Sequence, residues 1–178
     1  MVFRQDYVRE LLLLVGVRDA DRRNIEALAS DGVSIAVSPG GIWEMVNTRH
    51  DAEQVFVMKK LGFIRIAMAT STPIVPIYTF GENQLFTMHR FMMGPRLWVA
   101  RRLRFGIPLL TGRWGLPLPR PVKLVYVRGA PLGMPKIDEP TQQQIDEWHA
   151  KYVSEVTRIF NEHKGTLSDY AEKQLEMR

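Results

Sequence analysis

Any chemistry in this chain has to come from its glycine turns and its few titratable side chains. Pro39-Gly40-Gly41 closes a short apolar run, and two glycines at the end of a strand permit positive φ and a close backbone approach. Such a turn can offer amide N–H groups to a phosphate or an oxyanion. Three residues on, Glu44 can orient a partner or cap the turn that follows. The same spacing also fits a plain turn, so it names no reaction. Histidine is the usual proton carrier near neutrality, and the chain has four: His50, His89, His149 and His163. None is followed by an acid five residues on. His149 and His163 sit in a terminal helical stretch among residues of exposed type and read as solvated surface histidines. His50-Asp51 falls in a polar loop with no nucleophile or metal-ligand spacing beside it, and no metal site is expected. Gly-x-Gly-x-x-Gly, the Walker loop, His-Glu-x-x-His and Gly-x-Ser-x-Gly are all absent from the sequence.

The elements that must position these residues belong to an α/β pattern. Asp19 or Asp21 can cap a helix running through Arg22, Arg23, Ile25, Leu28 and Ala29, with Asp31-Gly32 as its stop. Val33–Val37 reads as a strand ended by the glycine turn. Residues 56–70 are helical in character, with Gly62 a weak point. Thr72-Pro73 breaks that helix, and Ile74–Phe80 follows as a strand, at an edge or bulged because Pro76 has no N–H to donate. Residues 84–105 are expected to include a helix interrupted near Gly94-Pro95, and Val122–Val127 a further strand. The last helix is the clearest. Thr141 and Gln144 form a capping box, and Ile145, Trp148, Tyr152, Val156, Ile159 and Phe160 make one apolar stripe up to Gly165. Strand and helix alternation predicts a mixed, largely parallel sheet flanked by helices.

At 178 residues, 46% hydrophobic and 24% charged, the chain can bury one core, so residues 1–178 are expected to be a single domain or part of one. Zero cysteines exclude disulfides and thiolate chemistry and fit a reducing compartment. No run of residues is apolar for long enough to cross a bilayer as a helix, and Leu11–Val15 is too short for a signal core. The net charge of +5 is regional. From Asn83 to Ile137 there are ten bases and no acid, whereas the rest of the chain carries fourteen bases and nineteen acids. Arg96, Trp98, Arg101, Arg102, Arg104 and Trp114 in that stretch are candidates for a membrane surface. An indole and a snorkelling guanidinium each set an apolar body beside a polar tip, and anionic lipid adds roughly 1 kcal/mol per base. The pattern also fits an arginine-rich solvated face over an ordinary core. A nucleic-acid groove would need a recognition motif that the chain lacks, so no nucleic acid is expected.

Order along the chain says more than any single motif. Pro39-Gly40-Gly41 is followed by Lys60-Leu61-Gly62-Phe63-Ile64-Arg65-Ile66-Ala67 and by Val75-Pro76-Ile77-Tyr78-Thr79-Phe80-Gly81-Glu82-Asn83. Phe3-Arg4 with Tyr7, and Gly16-Val17 with Arg22, precede them. Gly129-Ala130-Pro131, Pro135-Lys136-Ile137, Pro140-Thr141-Gln142 and Phe160-Asn161-Glu162-His163-Lys164 follow. Together these resemble the type 2 diacylglycerol acyltransferase family over nearly the whole chain. Lys60, where the family usually has arginine, and the bulky Ile42-Trp43 depart from its pattern.

The resemblance implies the C-terminal part of a glycerolipid acyltransferase domain. It implies acyl-CoA as co-substrate, no bound cofactor, and a lipid alcohol acceptor such as diacylglycerol, monoacylglycerol, a sterol or a wax alcohol. The implied location is the cytosolic face of the endoplasmic reticulum membrane, with lipid droplets, and a homo-oligomer stays open. The family's presumed catalytic base is a His-Pro-His-Gly motif, whose position, like that of its membrane anchor, would lie upstream of Met1. The resemblance therefore implies no catalytic residue in this stretch, and a stretch without its base is expected to be inactive alone. Arg22, Gly40, Gly41, Glu44, Lys60, Gly62, Phe63, Pro76, Gly81, Glu82 and Asn83 are the active-site or substrate-binding positions it implies. A non-catalytic lipid-surface protein of the same descent is the alternative.

Overall fold

A computed structural model of the chain describes residues 6–41, 44, 49, 52–89, 94, 110–167 and 170–178. They divide into two compact units, Met1–Val37 with Arg90–Leu109, and Ser38–His89 with Leu110–Arg178.

In the first unit, α1 covers Asp6–Leu14 and α2 covers Arg22–Ser30. Asp21 caps α2 by accepting from the Asn24 amide at 2.8 Å, and Gly32 follows the helix at a φ of 72°. Both ends were legible in the sequence. Val33–Val37 does not form the expected strand. Val33 and Val37 are exposed, and no ladder partner lies among the described residues. A β-rich composition forms a strand only where another chain segment takes up its backbone groups.

The second unit is built around the longest helix, which follows α3 at Gly62–Thr70 and is here α4, Gln142–His163. The capping box forms: the Gln144 amide donates to Thr141 Oγ1 at 3.3 Å, and the Thr141 amide donates to Gln144 Oε1 at 2.9 Å. Ile145, Tyr152, Val156, Ile159 and Phe160 are buried along one stripe, and with Ile64, Met68, Phe80 and Tyr170 they make the core. Each large apolar side chain buried there contributes about 1.5–3 kcal/mol. The helix expected over residues 56–70 starts only at Gly62, because β1, Glu53–Val55, and a loop occupy the residues before it. Its end is a left-handed cap at Ser71 (φ 54°), with the Thr72 amide returning to the Ala67 carbonyl.

Among the described residues, three two-stranded ladders give the unit its mixed α/β character. β2, Ile77–Phe80, runs antiparallel to β5, Val125–Arg128, with Ile77 opposite Arg128 and Phe80 opposite Val125. Pro76 sits just outside this ladder, where its carbonyl accepts from the Gly129 amide at 2.8 Å and its missing N–H costs nothing. β3, Thr87–Met88, pairs antiparallel with β4, Leu110–Thr111. β1 pairs parallel with β6, Leu175–Met177, across about 120 residues of sequence.

Two expectations change here. A 3₁₀ turn at Glu82–Gln84 and then β3 occupy the start of the helix expected from residue 84, and 90–109 lie outside the described residues apart from Gly94. β5 begins three residues later than expected, because the chain turns tightly at Arg120–Val122 before it reaches β2. Among the described residues, no helix is long and apolar enough to cross a membrane.

Candidate active site around Glu44 and Glu82

The glycine turn serves a neighbouring side chain. Gly41, at a φ of 57°, gives its amide to the Ser38 carbonyl at 3.2 Å, so that N–H closes the turn. Glu44 folds back over Gly40. Its Oε2 accepts from Ser38 Oγ at 3.1 Å and its Oε1 from the Phe56 amide at 3.3 Å. A Cβ on Gly40 would run into the Glu44 carboxylate. Gly40 and Glu44 therefore act as one device: the missing side chain makes room for the acid. The close approach that paired glycines permit is made to Glu44.

A second glycine turn lies at the end of β2. Gly81 adopts a φ of 92°, and a Cβ there would strike the Lys123 carbonyl oxygen, so no other residue fits without a backbone shift. Its amide donates to the Tyr170 hydroxyl at 2.8 Å, and that hydroxyl donates to Asn83 Oδ1 at 3.1 Å. Asn83 Nδ2 donates in turn to Glu53 Oε1 at 2.6 Å. Glu53, only 5% exposed, also accepts from Lys173 Nζ at 2.9 Å and, on Oε2, from the Tyr78 hydroxyl at 2.8 Å. A buried carboxylate is costly without partners, and three donors meet this one. Burial first, and then the Glu53 charge, push the Tyr78 phenol far up, so it stays protonated and keeps donating.

Glu44 and Glu82 share an electrostatic environment. Glu82 is exposed as a residue, yet partial desolvation of its carboxyl and then the Glu44 charge push its pKa up from 4.5. The same two causes, burial first, push up Tyr152 on α4. Phe63, in the first turn of α3, meets the Tyr152 ring edge-on at 5.0 Å. Two acids that interact, one of them harder to ionise than usual, can hydrogen-bond a hydroxyl-bearing ligand. Phe63 and Tyr152 give the same site an apolar flank. Perturbed carboxyl groups in such a setting mark functional sites more often than chance.

The structure thus brings together Gly40, Gly41, Glu44, Phe63, Gly81, Glu82 and Asn83. Lys60 and Gly62 lie at the exposed start of α3, and open space surrounds the Cβ position of Gly62. Pro76 is at the opposite end of β2 from Gly81. Arg22 lies in the other unit, exposed and paired with Glu26 at 2.6 Å. Trp114 is 74% exposed, while Arg96, Trp98, Arg101, Arg102, Arg104 and His50 lie outside the described residues.

His149 is not a surface residue. It is 6% exposed, and its Nε2 donates to the Val57 carbonyl at 3.0 Å. His163 is half-buried, with Nδ1 on the Ile159 carbonyl at 3.0 Å. Sequence reasoning missed Glu53, Tyr170 and Lys173 altogether. The one signal for them is the apolar-polar alternation of Leu175-Glu176-Met177, a three-residue hint of β6. Among the described residues, no group of three His, Asp or Glu is placed to hold a metal ion.

A protein-family model described as diacylglycerol acyltransferase matches residues 1–178. The chain belongs to the diacylglycerol acyltransferase family. It is 31% identical over 178 residues to Diacylglycerol O-acyltransferase 2 of Homo sapiens, covering 91% of this chain and 45% of that protein. It is 30% identical over 183 residues to the Dictyostelium discoideum protein of the same name, covering 94% and 54%. Acyl-CoA wax alcohol acyltransferase 1 of Homo sapiens is 30% identical over 176 residues, covering 91% and 53%. The chain spans about half the length of the curated relatives it matches. No solved structure matches it. In this diacylglycerol acyltransferase family member, the two glycine turns that carry the resemblance are the turns that hold Glu44 and Glu82.

Proposed function

We propose that this chain forms part of an acyl-CoA-dependent O-acyltransferase that esterifies diacylglycerol or a related lipid alcohol. The observation that carries the reading is the pairing of Glu44 with Glu82 on two glycine turns beside Phe63. The names of the relatives, which join acyl-CoA, diacylglycerol and wax alcohol to acyl transfer, support the substrate class.

In the proposed reaction the acceptor oxygen attacks the thioester carbonyl of acyl-CoA, its proton passes to a base, and CoA leaves as a thiolate that the same proton neutralises. His-Pro-His-Gly does not occur among the 178 residues, and none of their side chains is assigned as the base. Glu44 accepts from the acceptor hydroxyl, Glu82 hydrogen-bonds the bound substrates, and Phe63 packs on acyl chain. The acid-free basic stretch supports a membrane setting, the cytosolic face of the endoplasmic reticulum and lipid droplets.

The test is acyl transfer from oleoyl-CoA to diacylglycerol by the full-length protein, alongside the 178-residue chain. Triacylglycerol formed by the full-length protein, and lowered at least about 100-fold in the shorter chain, is the expected outcome. A full-length protein that binds lipid but transfers nothing would replace this reading with the non-catalytic one.

A further inference from the structure

Residues 112–118 form a built loop with an apolar tip. The Gly112 amide donates to the Leu116 carbonyl at 2.7 Å, and the Arg113 amide donates to the Leu118 carbonyl at 2.8 Å. Gly112 packs so tightly on the Leu118 carbonyl that a Cβ would overlap it. Pro117, Pro119 and Pro121 fix three further φ angles. Arg120 ties down the base, donating through its guanidinium to Thr87 Oγ1 at 2.7 Å and through its amide to the Leu85 carbonyl at 3.0 Å.

This rigid frame holds Trp114 in the left-handed region, at a φ of 57° and ψ of 22°. That conformation costs a bulky residue backbone energy that glycine or asparagine would largely avoid. The indole is also 74% exposed, with Leu116 at 51% and Leu118 at 45%. The Arg113 guanidinium lies over the indole at 4.1 Å. A large apolar residue presented twice unfavourably is explained by something that covers it.

We propose that the loop 112–118 is a docking tip that inserts Trp114, Leu116 and Leu118 into an anionic lipid surface. The charge decides the occupant: no acid occurs from Asn83 to Ile137, while Arg113, Arg120, Lys123 and Arg128 lie in or near the loop. A projecting tip of indole, leucine and stacked guanidinium suits the headgroup boundary, where each has an apolar body and a polar edge to place. Arg120 also donates to the Gln84 carbonyl, so the tip is tied to the turn that carries Glu82 and Asn83. Docking would hold that turn at the surface where a lipid alcohol resides. The inference deepens the membrane part of the reading above and does not require the acyl-transfer part.

The test is partition of the whole chain onto phosphatidylcholine vesicles with and without phosphatidylglycerol. Trp114→Asn keeps a residue that tolerates the left-handed backbone, so it should fold normally by circular dichroism and lose about tenfold or more in binding. Arg113→Gln should lose about fivefold on anionic vesicles and little on neutral ones. Unchanged binding by Trp114→Asn, or no vesicle binding by the parent chain, would overturn the proposal. So would a change from dimer to monomer in Trp114→Asn by sedimentation, which would assign the tip to a second copy. Vesicle binding that depends on Trp114 in a protein without acyl transfer would leave this inference standing and remove the enzymatic one.

Discussion

Glu53 and Glu82 stand twenty-nine residues apart in sequence and are joined through Asn83, yet their surroundings treat them in opposite ways. Glu53 is buried and saturated, with Tyr78, Asn83 and Lys173 all donating to its two oxygens. Glu82 keeps solvent contact, and partial burial with the nearby Glu44 charge makes its ionisation harder. The same type of side chain is therefore a buried, fully met support in one place and a solvent-contacting acid that ionises less readily in the other. The supplied donors decide which.

Removing the support should have the largest effect. Glu53→Ala would leave the buried Tyr78 hydroxyl and the half-buried Lys173 ammonium without their acceptor and should cost about 3–5 kcal/mol in chemical denaturation. Glu82→Ala, at an exposed position, should cost far less. If the two cost the same, the contrast between a saturated support and a presented acid fails.

Gly40→Ala comes next, at about 1–3 kcal/mol, because the new methyl group meets the Glu44 side chain. The double variant Gly40→Ala with Glu44→Gly should recover much of that loss, since the new methyl group meets the Glu44 Cβ as well as its carboxylate. Additive losses in the cycle would show that Gly40 is there for another reason.

The smallest effect is a pH dependence. A carboxyl whose folded pKa lies above its unfolded value costs no stability while both states are protonated. Stability is lost as pH rises through that interval, because the unfolded state ionises first. Glu82→Gln should therefore be more stable than the parent near neutrality, with the gap closing as pH falls below about 4.5. Urea midpoints across that range would show it, and a gap that widens toward acid would reverse the assignment of Glu82.

Local signals carried the parts that were legible in the sequence. The capping box and apolar stripe of α4, and the Asp21 cap of α2, need only neighbours a few residues away. β1 and β6 are three residues each, and their pairing is set by a contact that no local pattern encodes. Glu53 and Lys173 were invisible for the same reason: a buried ion pair looks like two surface charges until the strands meet. His149 was legible but misread. It sits four residues after Ile145 and three before Tyr152, on the buried stripe, and polar character alone suggested solvent. The site residues of the two glycine turns could be read as positions, whereas the reason for Gly40 is a side chain that folds back from four residues on.

The most direct test of the central claim is the turnover of the full-length protein carrying Glu82→Ala, with acyl-CoA and diacylglycerol supplied. The expected result is a folded protein whose kcat falls by about 10²-fold or more, because the carboxyl that hydrogen-bonds the substrates is gone. A Glu82→Ala enzyme with unchanged kcat would contradict this and leave the Glu44 and Glu82 pair a structural feature.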